Sequence, residues 1–373
     1  MRLRVWRDRS KDRGGVAMLV AVVLGAGVLM GAGALAVDVG QLHAEREQLQ
    51  SGADAAALAV AQKCVLTPST CASQDAVADT FAGLNANDGV SDAAVCRGSS
   101  TAASNPFANL AVCGADTGNL TDCIDVAGGQ PYLEVHTTTR MDDDATLLPP
   151  VFSSALAGSG DGSTVGACAR ASYGSPSTGT GLAITFSTCE WNSFTSGGTT
   201  YWPSPPSYPS STSGAEKVIY LHGSSSASTC AAGNSGWDKP GGFGYLESDD
   251  DCQATVSLGF VNTDTGSSAS GDCQDALLQA WTNKQVVYLP IYDGVTGTGS
   301  GIKYHLAGFA AFVVTGYKVG GSEQQKSWLT KPAKVPCSGD DRCLSGYFVS
   351  GLLPGGSGTG GGSYGTKVVN LVG

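Results

Sequence analysis

Residues 16–63 of the 373-residue chain read VAMLVAVVLGAGVLMGAGALAVDVGQLHAEREQLQSGADAAALAVAQK. The opening run, Val16–Val37, is apolar and meets no charge until Asp38. At a helical rise of about 1.5 Å per residue it extends roughly 33 Å, enough to cross the hydrocarbon of a bilayer. A basic stub precedes it, with Arg2, Arg4, Arg7, Arg9, Lys11 and Arg13 against Asp8 and Asp12. Lys and Arg mark the cytoplasmic flank, so everything beyond the run is expected outside. A cleaved signal peptide is the alternative, with Ala34-Leu35-Ala36 as its A-x-A site. The run exceeds the usual h-region of about 7–15 residues, which favours a retained anchor. Either way the remainder is exported.

The helix is expected to continue past the membrane. No proline falls between Asp38 and Lys63, and Ala53–Ala61 favours helix. Leu42, Leu49, Ala53, Ala56 and Val60 recur at helical spacing as a narrow apolar stripe. Such a stripe serves a plain stalk or packs against partner helices. Gly27 and Gly31 make a small-xxx-small pair in the apolar run, suited to close helix contact.

Twelve cysteines all lie beyond the run: Cys64, Cys71, Cys96, Cys113, Cys123, Cys168, Cys189, Cys230, Cys252, Cys273, Cys337 and Cys343. An even number in an exported chain reads as disulfides. Metal binding is the weaker reading, since no C-x-x-C pair and no clustered His occur. Cys64/Cys71, Cys113/Cys123 and Cys337/Cys343 are candidate local loops, although connectivity does not follow from sequence. Without the stub, 15 basic residues face 30 acidic ones. That balance excludes general nucleic-acid or anionic-membrane binding by the exported part, which needs positive potential. Only 14% of residues are charged and 53 are glycine. The composition suits a β-rich, loop-rich extracellular protein held by cross-links.

The expected fold class is α+β: one transmembrane helix running on into a long amphipathic helix, then β-rich, disulfide-stapled extracytoplasmic domains. Residues 1–15 are the cytoplasmic stub, 16–63 the helix, and 64–190 a first extracytoplasmic domain. A Pro/Ser-rich linker, 191–214, leads to a second β-rich domain, 215–373. In the first domain, Asp75–Leu84 is a short helix with Ala76, Val77, Phe81 and Leu84 as its apolar face. Asn85–Asn109 is loop, Tyr132–Thr139 a strand, Thr146–Leu156 a helix despite Pro149-Pro150, and Thr164–Tyr173 a strand. In the second, Lys217–His222, Val286–Tyr292, Phe309–Tyr317, Tyr347–Val349 and Thr366–Val372 read as strands, and Cys273–Trp281 as a helix. Glycine-rich turns between them suggest a small sandwich or barrel-like sheet.

Catalytic signals are weak. Gly361-Gly362-Ser363-Tyr364-Gly365 fits G-x-S-x-G, but a strand follows where the nucleophile elbow needs a helix, and no His lies downstream. It reads as a glycine turn. His43, His136, His222 and His305 are scattered and show no metal spacing. Asp249–Asp251 and the Asn262–Gly266 stretch are acidic turns with a Ca²⁺ alternative, but the second has Cys273 where an EF-hand needs Glu. No phosphate-binding loop occurs, and no cofactor is implied. Trp191, Tyr201, Trp202 and Tyr208 are partly buried anchors of the linker, or else a glycan or partner contact.

Arg13-Gly14-Gly15, the apolar run, Ala36-Val37-Asp38-Val39-Gly40 and Ala53-Asp54-Ala55-Ala56-Ala57-Leu58-Ala59 together resemble the N-terminal module of TadE/TadG-like proteins of the Flp (tight adherence) pilus system. Phe152–Ala171, with alternating Ala167, Ala169 and Ala171, resembles a later strand of the family. The half after residue 180 resembles only loosely the cysteine-bearing extensions of actinobacterial relatives. The resemblance implies a non-enzymatic, membrane-anchored accessory protein, pseudopilin- or minor-pilin-like, working with other pilus-assembly components. Its helix-packing residues are Gly27, Gly31, Asp38, Leu42, Leu49, Ala53 and Ala56. Some family members are cut after a Gly that has Glu five residues on. Gly15 has Val20 there, so a permanent anchor is expected. Neither nucleic acid nor a small-molecule substrate is indicated. A surface adhesin using the second domain is the rival reading. An exported hydrolase lacks an identifiable acid/base or nucleophile pair.

Overall fold

A computed structural model describes residues 12–100, 105–114, 123, 130–141, 143–150, 152, 162–222, 224, 226, 241–264, 269–297 and 301–372. α1 (Asp12–Leu66) is one unbroken helix of 55 residues, about 80 Å long. Its two halves have opposite surroundings. Val28, Leu29 and Met30, each turned about 100° from the last around the helix axis, are 70%, 75% and 70% exposed. Such a surface is stable only where the surroundings are themselves apolar. In the second half Leu49, Ala53, Ala56, Ala57, Val60, Ala61 and Cys64 are buried. The helix therefore runs from an apolar exterior into a protein core without a break.

The described residues form two compact units. The first holds those up to Cys64, those of Pro68–Ala171, and Leu371 with Val372; the second holds Val65–Thr67 and Ser172–Asn370. In the first, a 3₁₀ turn at Pro68–Ser73 reverses the chain and the Cys64–Cys71 disulfide fixes it. α2 (Asp75–Gly83) then packs on α1. A Cβ on Gly52 would lie 3.1 Å from the Ala82 carbonyl oxygen, so glycine is what permits this approach. The close approach also corrects the expected face of α2. Ala78 and Ala82 point inward, because small side chains fit between such near backbones, while Phe81 and Leu84 are exposed.

β1 (Ser91–Arg97), β2 (Tyr132–Thr139) and β3 (Gly166–Gly174) are neighbours in that order. β1 pairs antiparallel with β2, from Ser91 opposite Thr139 to Arg97 opposite Leu133. β1 lies in a stretch expected to be loop. Its Ser-Asp-Ala-Ala start has little strand preference, and pairing with β2 overrides it. The expected helix from Thr146 is absent among the described residues: Leu148 bridges Ser163 antiparallel, and Pro149-Pro150 cannot donate helical hydrogen bonds.

The second unit contains β4 (Thr178–Leu182), β5 (Ile184–Ser187), α3 (Thr188–Thr195), β6 (Lys217–Tyr220), β7 (Phe243–Leu246), β8 (Gln253–Ser257) and β9 (Gly259–Asp264). It continues with α4 (Gly271–Asn283), β10 (Val286–Thr296), β11 (Lys303–Lys318), β12 (Gln324–Gln325), β13 (Cys343–Val349), β14 (Gly351–Leu352) and β15 (Thr366–Leu371). β10, β5, β7, β9 and β11 pair in sequence, and β11 pairs back onto β10, so five strands close into a barrel-like ring. The 16-residue β11 makes this possible. Its first half lies between β9 and β10, and its second half continues to β13 and β6. Phe186, Phe243, Phe312 and Phe348 meet edge-to-face inside, beside Tyr292 and Tyr304. β7, β8 and β9 were not expected from sequence. Their short Gly- and Thr-bearing segments gain their apolar partners only from distant strands.

Residues 191–214 do not bridge the two units. Both flanks lie in the second, and the boundary falls at Ala171/Ser172, within β3. Trp202 N–H donates to the Phe348 carbonyl at 3.1 Å, and the Trp202 ring packs on the cluster of Val313, Tyr347 and Val349. Aromatic burial holds down a segment whose Pro/Ser composition suggested a free linker.

Candidate functional site

The sequence singled out one helix and twelve cysteines, and the first unit brings most of them together. Gly27 and Gly31 lie in the outward-facing half of α1. A Cβ on Gly31 would meet nothing within 4 Å, so that flank is open to a partner helix or to lipid. Leu42, Leu49, Ala53 and Ala56 face the chain's own head instead. Leu49 packs with Leu42 against Val165 and Ala167 beside β3. The Leu49 carbonyl accepts from the Thr137 hydroxyl at 2.9 Å, and Gln50 Nε2 donates to the Cys168 carbonyl at 3.0 Å. The stripe is therefore an intramolecular seam. Ala53 and Ala56 are fully buried in it, and no partner helix can use them without displacing this packing.

Asp38 marks the change of surroundings along α1. It is 9% exposed, and its Oδ1 accepts the Phe152 N–H at 3.0 Å. Two turns further, burial pushes the Glu45 carboxyl up, nearby Asp88 adds to this, and a hydrogen bond with Thr139 opposes it.

The disulfides Cys64–Cys71 and Cys337–Cys343 are the local loops expected. The Cys113/Cys123 loop is not formed. Cys113 joins Cys96, on β1, and Cys123 joins Cys168, on β3. Both bridges tie loops to strands, which neighbour spacing cannot reveal. Cys252–Cys273 ties the start of β8 to the first turn of α4. Cys189 is also disulfide-bonded, and Cys230 lies outside the described residues.

Between these bridges lies a charged cluster that sequence reasoning missed. Glu134 and His136 share one face of β2, two residues apart. Arg170 Nε donates to Glu134 Oε1 at 2.5 Å, and His136 Nε2 lies 2.9 Å from Glu134 Oε2. The guanidinium also sits 4.8 Å from the centre of the Tyr132 ring. Glu134 is 2% and Arg170 6% exposed. Cys168 Sγ lies 3.7 Å from His136 Nε2, and Cys96 Sγ 3.9 Å from Glu134 Oε2. Metal-like groupings result, of Cys96, Cys113, Glu134 and His136, and of Cys123, Glu134, His136 and Cys168. All four sulfurs are in disulfides, so the thiolates that a zinc site needs are not on offer. The arrangement is a buried ion network. The visible signal was Leu-Glu-Val-His in a strand, with Arg170 alone among alternating alanines.

In the second unit, Ser363 sits in the glycine turn before β15. Lys367 Nζ donates to Ser363 Oγ and Ser175 Oγ, both at 3.2 Å, and burial lowers the Lys367 amine. A strand follows the serine, not a helix, as the turn reading requires. His305 Nδ1 lies 2.6 Å from Asp293 Oδ1, and His222 Nδ1 3.1 Å from the Tyr304 hydroxyl. Burial lowers the His222 pKa. Trp191 is buried against Tyr364, and Tyr208 packs edge-on against Trp328 beneath Lys284, so the aromatics around 191–208 act as anchors. Asn262–Asp264 lies in β9, and Thr265 and Gly266 of the same stretch lie outside the described residues. Asp251, in a left-handed conformation, lines an open polar cleft of about 450 Å³ with Asp272, Asp275, Gln253, Gln279 and Tyr288.

Residues 14–63 match the family described as Flp pilus-assembly TadE/G-like. The matched segment falls inside α1 and carries both the outward apolar half and the buried seam. No curated protein and no solved structure matches the chain.

Proposed function

We propose that the chain is a membrane-anchored accessory component of a Tad/Flp pilus-assembly machine, pseudopilin- or minor-pilin-like and non-enzymatic. Val16–Val37 spans the bilayer, the basic stub faces the cytoplasm, and both units lie outside. The observation that carries the reading is the family match laid over a helix whose first half is apolar on all sides and whose second half is the core of a folded head. Because Leu42, Leu49, Ala53 and Ala56 are used by that head, contact with other pilus components falls to the membrane half, around Gly27 and Gly31. A clean deletion strain is expected to lose its pili, and the tagged full chain to co-purify with other Tad components from gently solubilised membranes. Intact pili in the deletion strain would overturn the reading. A chain carrying Gly27→Leu and Gly31→Leu is expected to reach the membrane but to fail in complementation.

A second reading gives the second unit a binding task of its own. The polar cleft around Asp251, Asp272, Asp275 and Gln279 favours it, since carboxylates and amides around an open depression suit a hydroxyl-rich or cationic ligand. Surface binding that survives in a strain without pili, and is lost on Asp272→Asn with Asp275→Asn, would support it.

A further inference from the structure

The head begins before the apolar run ends. Ala34 is only 9% exposed, and Asp38, one turn on, is equally buried on the same flank. Protein atoms thus lie beside the helix at a level inside Val16–Val37. A hydrocarbon layer of about 30 Å takes up about 20 residues of helix, which from Val16 ends near Leu35. At that level Leu35, Asp38 and Leu42 line a cavity of about 280 Å³ with Leu148, Pro149 and Pro150. The Asp38–Phe152 hydrogen bond holds the far end of this short segment to the helix. Leu148 turns inward at 7% exposed, whereas Leu147 and Phe152 stay at 43% and 49% exposed. Val37 and Val39, flanking Asp38 on the helix, are 49% and 41% exposed.

We infer that Leu147 and Phe152 rest in the lipid interface beside the helix exit, making a second membrane contact that Asp38 positions. The occupant is lipid because this apolar surface sits at the outer end of the membrane run, where the hydrocarbon gives way to headgroups beside Asp38. An aromatic ring at the boundary between headgroups and hydrocarbon is in its favoured place. Asp38 thereby has a role in a costly location: its carboxylate satisfies a loop N–H where water is scarce. The proposal rests on the reading that Val16–Val37 spans a bilayer.

The test uses the full chain in phosphatidylcholine/phosphatidylglycerol nanodiscs, with the photo-crosslinker p-benzoylphenylalanine at one position at a time. Leu24 reports the span. Leu84, 76% exposed just beyond the α2 contact with Gly52, reports the head at roughly 20 Å past the run. Lipid adducts at positions 147, 152 and 24, with loss of adducts at 84, are the expected result. Adducts at 24 without those at 147 and 152 overturn the proposal and leave the anchor standing. Absence of adducts at 24 overturns both. A covalent dimer formed from position 152 in place of lipid adducts assigns the surface to a second copy and also overturns it. In an Asp38→Ala background, adducts at 152 are expected to fall while those at 24 persist; unchanged yield at 152 removes Asp38 from the account.

Discussion

Replacing Arg170 by Met leaves the Glu134 carboxylate inside the first unit without its main counter-charge. Glu134 is 2% exposed, held by Arg170 at 2.5 Å and by His136 at 2.9 Å. Breaking a buried pair from one side typically costs about 3–5 kcal/mol, because a desolvated charge remains. The remaining His136 contact and the lost cover over the Tyr132 ring act in opposite directions, so about 3 kcal/mol is a fair working value. At 1.36 kcal/mol per decade this is on the order of a hundredfold in the opening equilibrium of β2 and β3. Hydrogen exchange read by mass spectrometry, on peptides covering 132–139 and 166–174 of the full chain in micelles, measures it directly. Peptides from β10 and β11 serve as the internal reference. Glu134→Leu combined with Arg170→Met removes both charges and is expected to exchange far more slowly than the single variant, near or below the wild-type rate. A single variant within about threefold of wild type, or a double variant as labile as the single, would refute the claim that this pair is a desolvated, interdependent unit.

Leu49→Ala opens the seam between α1 and β3 and is expected to cost about 3 kcal/mol, read from the urea midpoint, with Leu49→Met recovering most of it. Removing Cys123–Cys168, which closes a 45-residue separation, is expected to cost roughly 1.6 kcal/mol more than removing Cys64–Cys71, which closes 7. Equal losses in melting experiments would contradict the loop-closure account. Burial lowers the His222 pKa below its ordinary value of 6.5, so the unfolded chain binds the proton more readily. Stability from this group is present above pH 6.5 and is lost as pH falls through the lowered folded value. His222→Gln should flatten that part of the melting-temperature profile of the second unit, and an unchanged profile would contradict it.

The helix was legible because its signals are local and redundant: an uninterrupted apolar run, no proline before Pro68, and alanines from Ala53. Tyr132–Thr139 and Val286–Tyr292 were legible for the same reason, as dense runs of strand formers. What sequence hid depends on partners far along the chain. Ser91–Arg97 is a strand only because Leu133–Thr139 stands beside it. Phe81 and Leu84 looked like the inward face of α2 because they are large, yet the Gly52–Ala82 approach excludes large side chains. The Glu134–Arg170 pair joins residues 36 apart and has no periodic signature. The Pro/Ser stretch misled through composition, since a few aromatics outweigh many serines once Trp202 and Tyr208 find Tyr347 and Trp328.

The seam between α1 and its sheet has a mechanical side. A pull on the membrane end of α1 is directed along the helix axis, parallel to the packed stripe. Leu49, Ala53, Ala56 and Val60 then resist sliding together rather than peeling apart one by one. The Cys64–Cys71 bridge closes the far end of the helix as a stop. The stalk cannot be drawn out without shearing the whole interface at once.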